Sequence, residues 1–250
     1  MVTDYDEGDT AELYRRAKNT LPIFQVDTYS LMQRIGDVSG LAVLDVACGD
    51  GHFTRLLRRA GAARVVGLDV SEEMIRLARE QEAADPLGID YVVEDARRVI
   101  DPAQQFDLAA AAFLLVYARS RAELAEMCRG LASRVRTGGR FVTITVNPDL
   151  YHFGPAPDYG RYGLGLRLAD HVYEGAPINF TLRLPDAELE IENYYLPVEA
   201  YRSELQSAGF TDVGVYGPAL PPDAGADHEP GFWDELLARP VFVLLDCVKA

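Results

Sequence analysis

Val43-Leu44-Asp45-Val46-Ala47-Cys48-Gly49-Asp50-Gly51-His52 is the stretch that decides the fold of this 250-residue chain. The apolar run over 41–46 predicts a buried parallel strand, the two glycines predict a tight turn, and 53–60 predicts a helix. A second apolar run, 64–68, ends on Asp69. Strand, glycine turn, helix and strand in this order are typical of a βαβ unit that binds a nucleoside-bearing cofactor.

The two glycines and Asp69 each supply something that such a cofactor needs. Gly49 and Gly51 tolerate positive φ and let a ligand approach the backbone closely. The start of the helix offers unpaired N–H groups. Asp69, at the carboxyl end of the second strand, can accept hydrogen bonds from both ribose hydroxyls, although a helix-capping role is the alternative.

Two further residues favour a sulfonium cofactor over a dinucleotide. The dinucleotide fingerprint has a third glycine three residues after the second, where this chain has Thr54. Asp45, inside the first strand, would repel a pyrophosphate but suits a sulfonium or ammonium group. The pattern therefore predicts S-adenosyl-L-methionine (SAM), and an NAD(P)-dependent oxidoreductase is the alternative.

The motifs as a set resemble those of a known family. Residues 45–51, Asp69 and Glu94-Asp95-Ala96 resemble the successive cofactor motifs of class I SAM-dependent methyltransferases, over residues 41–147. The resemblance implies SAM as cofactor and S-adenosyl-L-homocysteine (SAH) as its product. It also implies that Asp45 lies near the methionine part, that Asp95 accepts from the adenine amino group, and that the Ala96 N–H serves the ring. A helix N-cap is the alternative for Asp95.

Other cofactor contacts are predicted from spacing and position. Tyr14 and Lys18 lie four residues apart on one helix face and can hold the SAM carboxylate, or they are a packed tyrosine beside a solvated lysine. Val70 and Met74 flank the adenine, or Met74 belongs to the core. The predicted cofactor-binding residues are Tyr14, Lys18, Asp45, Ala47, Cys48, Gly49, Gly51, Asp69, Val70, Met74, Asp95, Ala96, Phe113 and Leu114.

Alternation of strands and helices predicts an α/β fold with a parallel sheet and right-handed crossovers. The resemblance implies a Rossmann-like seven-stranded methyltransferase sheet, mostly parallel with the last strand antiparallel, helices on both faces and a lid insertion after strand five. We expect a single methyltransferase domain over 1–250. Its expected parts are a helical N-terminal cap (1–36), a SAM-binding core (37–147), a Tyr-rich lid with a hairpin (148–196), and a closing helix and strands (197–250).

Composition excludes several other classes of protein. The net charge of −15 opposes binding to phosphate backbones, so no nucleic-acid partner is expected. No apolar run approaches the ~18 residues of a membrane span, and the N-terminus lacks a signal-peptide pattern. The three cysteines are far apart in sequence, so neither a disulfide framework nor a metal site is expected. We expect a cytoplasmic protein, monomeric or homodimeric, without a membrane partner.

The acceptor is predicted from aromatic residues near the expected methyl position. Phe113 and Leu114 end the fourth strand, where enzymes that methylate nucleic-acid bases commonly carry Asn/Asp-Pro-Pro-Tyr. Residues 151–195 hold 6 of the 13 tyrosines, which suits a flat organic acceptor or packs the lid onto the sheet. The predicted substrate-binding residues are Tyr14, Phe113, Tyr151, Tyr194 and Tyr195. No catalytic residue is identified beyond His152, a candidate general base with a structural role as the alternative.

Three short segments narrow the resemblance. Tyr14-Arg15-Arg16-Ala17-Lys18, Asn193-Tyr194-Tyr195-Leu196 and Gly231-Phe232-Trp233 resemble toxoflavin-synthase-like methyltransferases. These are small bacterial enzymes that N-methylate a bicyclic heteroaromatic in antibiotic biosynthesis. The resemblance implies methyl transfer to a small, planar heteroaromatic or phenolic metabolite, with N-methylation favoured over O-methylation. A non-methylating or non-catalytic SAM-binding protein is the alternative.

Overall fold

Ten strands and seven helices make up the computed structural model, within the residues that it describes: 3–100, 105–155, 157–226 and 228–250. The strands are β1 (Ala42–Val46), β2 (Arg64–Asp69), β3 (Asp90–Val93), β4 (Phe106–Ala112), β5 (Val135–Val146), β6 (Leu164–Leu168), β7 (Pro177–Arg183), β8 (Glu188–Tyr194), β9 (Phe210–Tyr216) and β10 (Phe242–Lys249). The helices are α1 (Thr10–Thr20), α2 (Ile23–Ile35), α3 (His52–Arg59), α4 (Glu72–Ala84), α5 (Arg121–Arg134), α6 (Val198–Ser207) and α7 (Asp234–Ala238).

Seven of the strands form one sheet in the order β3-β2-β1-β4-β5-β10-β9. The pairs from β3 to β5 are parallel, whereas β10 runs antiparallel to both β5 and β9. This arrangement confirms the predicted Rossmann-like seven-stranded sheet with its antiparallel last strand. The strand order reverses between β1 and β4, so the carboxyl ends of these two strands flank the crevice where such sheets bind ligands.

Helices cover both faces of this sheet. The core on one face includes buried residues of α2, α3 and the small second sheet, and the core on the other includes those of α5 and α6. Because both faces are covered, the central strands carry almost unbroken apolar runs, such as Ala109–Ala112 in β4. The first turn of α4 is capped by Ser71, whose Oγ accepts a hydrogen bond from the Met74 N–H at 3.1 Å.

The segment after β5 contains a second, three-stranded antiparallel sheet in the order β6-β7-β8. The predicted hairpin around Pro185-Asp186 corresponds to β7 and β8, whereas β6 was not predicted. The β6 sequence Leu-Gly-Leu-Arg-Leu alternates over only five residues inside a Gly- and Tyr-rich stretch, too short a pattern to identify from sequence. Leu164, Phe180 and Ile191 of this sheet join the same core as α2.

Two element boundaries differ from the sequence pattern. In the sequence before β5, apolar residues at 124, 128, 131 and 135 follow a helical spacing that predicts a helix up to Val135. Helix α5 ends at Arg134, however, and Val135 already pairs with Phe106 of β4. The fourth strand was predicted to end at Phe113 and Leu114. Strand β4 instead ends at Ala112, because Phe113 has a φ of 60°, outside the β region.

The helices and the cysteines of the structure can be compared with the expectations from composition. In the described part of the chain, no helix combines the length and apolar character that crossing a membrane requires. Cys48, Cys128 and Cys247 are free thiols and are buried.

Candidate functional site

A cavity of about 480 Å³ lies at the carboxyl ends of β1, β2 and β4. Its volume is within the range of about 300–1,000 Å³ that is usual for small-molecule and cofactor sites. Its walls come from the turns after these strands, from α1 and α4, and from the segment before α1. The lining residues are Thr3, Tyr5, Tyr14, Ala47, Gly49, Leu68, Asp69, Val70, Met74, Glu94, Asp95, Ala96, Arg97, Ala112, Phe113, Leu114, Tyr117, Arg119, Glu123 and Met127.

Asp69 is fixed at the centre of one wall by the backbone. Its Oδ2 accepts a hydrogen bond from the Gly49 N–H at 2.9 Å, and its Oδ1 accepts one from the Ser71 N–H at 3.0 Å. Burial raises the pKa of this carboxyl, and the backbone hydrogen bonds oppose that rise. The turn after β1 and the end of β2 are thus joined through one carboxylate, which lies in the cavity wall.

The rest of the glycine turn lies behind this wall. A Cβ on Gly51, whose φ is 87°, would lie 2.4 Å from the Tyr91 hydroxyl, so this glycine makes room for a packed tyrosine. Asp45 is 1% exposed, and its Oδ2 accepts a hydrogen bond from the Thr54 hydroxyl at 2.6 Å. Burial raises the pKa of Asp45 to about 7. Thr54 therefore serves as the hydrogen-bond donor to Asp45. In the sequence, its position is notable only because the dinucleotide fingerprint has a glycine there.

An arginine that the sequence analysis missed fixes the far end of the cavity. Arg134 of α5 is 1% exposed, pairs with Glu94 and donates to the backbone carbonyl of Arg98. Helix α5 can lie this close to the loop because residue 130 is glycine. A Cβ at this position would lie 2.0 Å from the Ala96 carbonyl oxygen. In the sequence, Arg134 cannot be distinguished from an exposed arginine on a helix surface. No sequence signal therefore predicts its burial.

At the same end, Asp95 is occupied by a neighbour. Both of its carboxylate oxygens accept hydrogen bonds from the Arg97 side chain, and Oδ1 also accepts from the Arg97 N–H at 2.8 Å. This pairing lowers the pKa of the Asp95 carboxyl. The carboxylate lies in the cavity wall and is ionised, as an acceptor for an amino group has to be.

The segment before α1 closes one side of the cavity. Tyr5 lines the cavity, and its hydroxyl lies 2.8 Å from that of Tyr117. Asp6 Oδ1 accepts hydrogen bonds from the Ser71 hydroxyl at 2.6 Å and from the Glu73 N–H at 2.9 Å. Thr3 Oγ1 accepts one from the N–H of a β8 residue at 3.1 Å. Sequence reasoning assigned no site residue before Tyr14, because the segment has no periodic pattern.

A second cavity of about 60 Å³, which we call the inner chamber, adjoins the first. Tyr5, Tyr14, Phe113 and Tyr117 line both cavities. The remaining walls are mostly apolar and come from α2, the small sheet and β10. These walls are Ile23, Phe24, Asp27, Val146, Leu164, Phe180, Leu182, Ile191, Asn193, Val241 and Phe242. Phe113 reaches the boundary because of its positive φ, a conformation that is uncommon for a bulky residue.

The structure brings most of the predicted cofactor residues together. Ten of them line the larger cavity: Tyr14, Ala47, Gly49, Asp69, Val70, Met74, Asp95, Ala96, Phe113 and Leu114. Asp45, Cys48 and Gly51 lie outside that wall. Lys18 does too: its Nζ lies 4.2 Å from the centre of the Phe53 ring. The assignment of these four to the cofactor stays a prediction.

Several of the predicted acceptor residues line neither cavity. The Tyr151 hydroxyl donates to the Pro177 carbonyl oxygen at 2.7 Å, and the Tyr151 and Tyr195 rings pack edge to face at 5.3 Å. The Tyr194 hydroxyl donates to a carboxylate on its own strand at 2.5 Å, and His152 is exposed. The Tyr151 hydrogen bond attaches the segment after β5 to the small sheet, whereas the Tyr194 hydrogen bond lies within β8. Of the predicted acceptor residues, Tyr14 and Phe113 face the inner chamber.

The residues present fit the cofactor that the motifs predict. Asp69, Glu94 and Asp95 provide carboxylates at one wall, and the bare Gly49 backbone lies beside Asp69. Two arginines, Arg97 and Arg119, also line the cavity, and Arg97 is paired with Asp95. Carboxylates attract hydroxyl and amino donors and a sulfonium charge, whereas they repel a pyrophosphate. The site therefore suits a nucleoside with a cationic substituent.

Comparisons with known proteins agree with this geometry. The family model described as "Methyltransferase domain" matches residues 43–139. A ubiquinone biosynthesis O-methyltransferase of Methylobacterium sp. (strain 4-46) is 31% identical over 188 residues, which cover 75% of this chain and 67% of that protein. An N-demethylindolmycin N-methyltransferase of Streptomyces griseus is 25% identical over 241 residues, which cover 91% of this chain and 96% of that protein.

A solved structure also matches over almost the whole chain. The crystal structure of an S-adenosylmethionine-dependent methyltransferase from Mesorhizobium loti has a TM-score of 0.64 and 25% sequence identity. The match covers 92% of this chain and 99% of that one. The likeness therefore extends well beyond the central sheet.

Proposed function

The chain belongs to the class I SAM-dependent methyltransferases, and from that premise we propose that it methylates a nitrogen of a small, planar heteroaromatic metabolite in secondary metabolism. The observation that carries the proposal is the inner chamber, whose aromatic walls open onto the cofactor cavity between Tyr14, Phe113 and Tyr117. A chamber of about 60 Å³ admits the reacting end of a small molecule. Mostly apolar and aromatic walls suit a flat ring.

The residues divide into those that hold the cofactor and those that hold the acceptor. Asp69 accepts hydrogen bonds from the ribose hydroxyls. Asp95 accepts a hydrogen bond from the adenine amino group, and the Ala96 N–H donates one to the adenine ring. When bound, SAM supplies a methyl group on a positively charged sulfur. Phe113 and Tyr14 separate the two cavities and set where the acceptor meets that methyl group. Positioning of this kind, with water excluded by Tyr5 and Tyr117, contributes up to about 7–11 kcal/mol to catalysis.

Similarity to relatives supports a nitrogen acceptor and also supports the second candidate, an oxygen acceptor. The N-demethylindolmycin N-methyltransferase aligns with nearly the full length of this chain. The ubiquinone O-methyltransferase of Methylobacterium aligns over 75% of it. O-methylation of a phenol is therefore the second candidate, and a SAM-binding protein without transferase activity is the third.

Calorimetry and mass spectrometry test the proposal together. We expect SAH to bind, and we expect a mass gain of one methyl group on at least one member of a panel of N–H heteroaromatics such as indoles, benzimidazoles and pyrimidinones. Phenols of matched size form the comparison panel. Methyl transfer confined to phenols would favour O-methylation, and SAH binding without transfer to any panel member would favour the non-catalytic alternative.

A further inference from the structure

The inner chamber carries a buried carboxylate that the protein leaves half unpaired. Asp27 of α2 is 1% exposed and lines the chamber. Its Oδ1 accepts a hydrogen bond from the Thr28 hydroxyl at 3.1 Å, whereas its Oδ2 has no hydrogen-bond partner among the described residues. Leaving a buried carboxylate oxygen unpaired destabilises a protein, so its presence in a cavity points to a ligand that supplies the missing donor.

The groups around Asp27 keep it a proton acceptor rather than a fixed anion. Lys18 of α1 is the cation that favours its ionised form, but the Lys18 Nζ lies over the Phe53 ring and forms no ion pair in the described part of the chain. Asn193 of β8 and Tyr14 of α1 are among the polar side chains that line the chamber with it. Burial outweighs these effects and raises the pKa of Asp27 to about 7.

A hydrogen-bonded chain runs from Asp27 through Thr28 to His52. The Thr28 hydroxyl lies 3.2 Å from Nε2 of His52, the first residue of α3. Burial lowers the pKa of His52 to about 4, so its imidazole is neutral at pH 7. Because the Thr28 hydroxyl gives its one proton to Asp27, the His52 Nε2–H is the donor to Thr28. This chain fixes Oδ1 and leaves Oδ2 for the ligand.

We propose that Asp27 receives the proton-bearing nitrogen of the acceptor in the inner chamber and takes up the proton that methylation releases. The proposal rests on the proposed N-methyl transfer. The N–H bond breaks as its proton passes to Asp27 Oδ2, and its electron pair stays on nitrogen. That pair forms the bond to the methyl carbon as the carbon–sulfur bond breaks and leaves its electron pair on sulfur. Asp27 loses that proton to solvent when the product leaves.

A binding experiment with imidazole tests the contact without catalysis. Imidazole carries one N–H and is small enough for the chamber, and 1-methylimidazole lacks the N–H. At pH 8, with SAH saturating, we expect imidazole to bind the wild-type protein and Asp27→Asn to weaken that binding at least tenfold. The matched control is Asp37→Asn, an exposed carboxylate just after α2. Equal imidazole affinity in wild type and Asp27→Asn, or equal wild-type affinity for 1-methylimidazole, would overturn the proposal.

Turnover supplies a second, independent readout. With an N–H acceptor from the panel, we expect Asp27→Asn to lower kcat at least 100-fold while SAH affinity stays within twofold. The acid limb of the wild-type pH profile near pH 7 should disappear in that variant, and Asp27→Glu should retain part of the activity. A folded Asp27→Asn variant with wild-type kcat contradicts the role. If the wild-type enzyme methylates no panel member, the proposed acceptor class fails, and the imidazole experiment still decides the role of Asp27.

Discussion

Gly51 shows at the scale of one residue that a motif position can serve packing. Its φ of 87° disfavours any side chain, and a Cβ at this position would come within 2.4 Å of the Tyr91 hydroxyl. We expect Gly51→Ala to lower the free energy of unfolding by about 3 kcal/mol, combining backbone strain and overpacking. The control is Gly40→Ala, because Gly40 has a similar φ of 76° with no atom within 4 Å. Equal losses in urea unfolding would contradict the packing role.

Thr54 also has a role that emerges only from the structure. Its hydroxyl donates to Asp45 Oδ2, a hydrogen bond that stabilises the ionised carboxylate. Thr54→Val keeps the shape and removes the donor. We expect it to lower the free energy of unfolding by about 2 kcal/mol at pH 8, where Asp45 is ionised, and by less at pH 5.5, where Asp45 is protonated. Thr54→Ser, which keeps the hydroxyl, should stay near wild type, and a loss independent of pH would argue against this account.

Sequence reasoning identified residues whose function follows from local chain order. Gly49 and Asp69 could be found because a strand, a turn and the next strand end determine where they lie. Asp27 and Arg134 could not, because each sits in a helix pattern and acquires its surroundings from elements far away in sequence. The lid tyrosines were predicted either to form a binding wall or to pack the lid onto the sheet, and the hydroxyls of Tyr151 and Tyr194 bond to residues of the small sheet.

Among the elements, the segment before α1 closes the cofactor cavity through a few polar contacts. Asp6 attaches it to the start of α4 through Ser71 and Glu73. We expect Asp6→Ala to weaken SAH binding about threefold to tenfold, mainly through faster dissociation, because a loosened segment exposes the cavity. Stopped-flow displacement measures that rate. Glu7→Ala, an exposed carboxylate in the same segment, is the control, and an unchanged SAH dissociation rate in Asp6→Ala would contradict a closing role.

The order of the elements could be predicted from the sequence because the strands of the central sheet are largely apolar and most of the helices between them carry one apolar face. The family resemblance implied an antiparallel last strand, and the observed pairing of β10 with β5 confirms it. Strand β6 and the cavity-closing segment were not predicted, since neither has a sustained period. Their positions depend on packing against the finished sheet, which no local pattern encodes.

For the whole molecule, buried carboxylates determine how stability depends on pH. Burial raises the pKa values of Asp27 and Asp45 to about 7, above the ordinary value of 3.8. The folded state therefore binds more protons than the unfolded state between about pH 4 and 7, and this contribution to stability is lost as pH rises towards and through 7. His52, with its pKa lowered to about 4, acts in the opposite direction below pH 6.5.

A comparison of two variants with wild type separates these contributions. We expect the double variant Asp27→Asn/Asp45→Asn to gain stability relative to wild type by roughly 2–3 kcal/mol between pH 6 and pH 8, since each carboxyl with a pKa near 7 contributes about 1.4 kcal/mol over that interval. The His52 contribution is common to both proteins and cancels. Asp37→Asn, whose carboxyl has a lowered pKa, should follow the wild-type curve above pH 6. Denaturant unfolding at pH 6 and pH 8 measures the free energy of unfolding of each protein. If the wild type and the double variant change in parallel between these pH values, both carboxylates are ionised throughout. The protein would then stabilise two buried charges by contacts other than those described above.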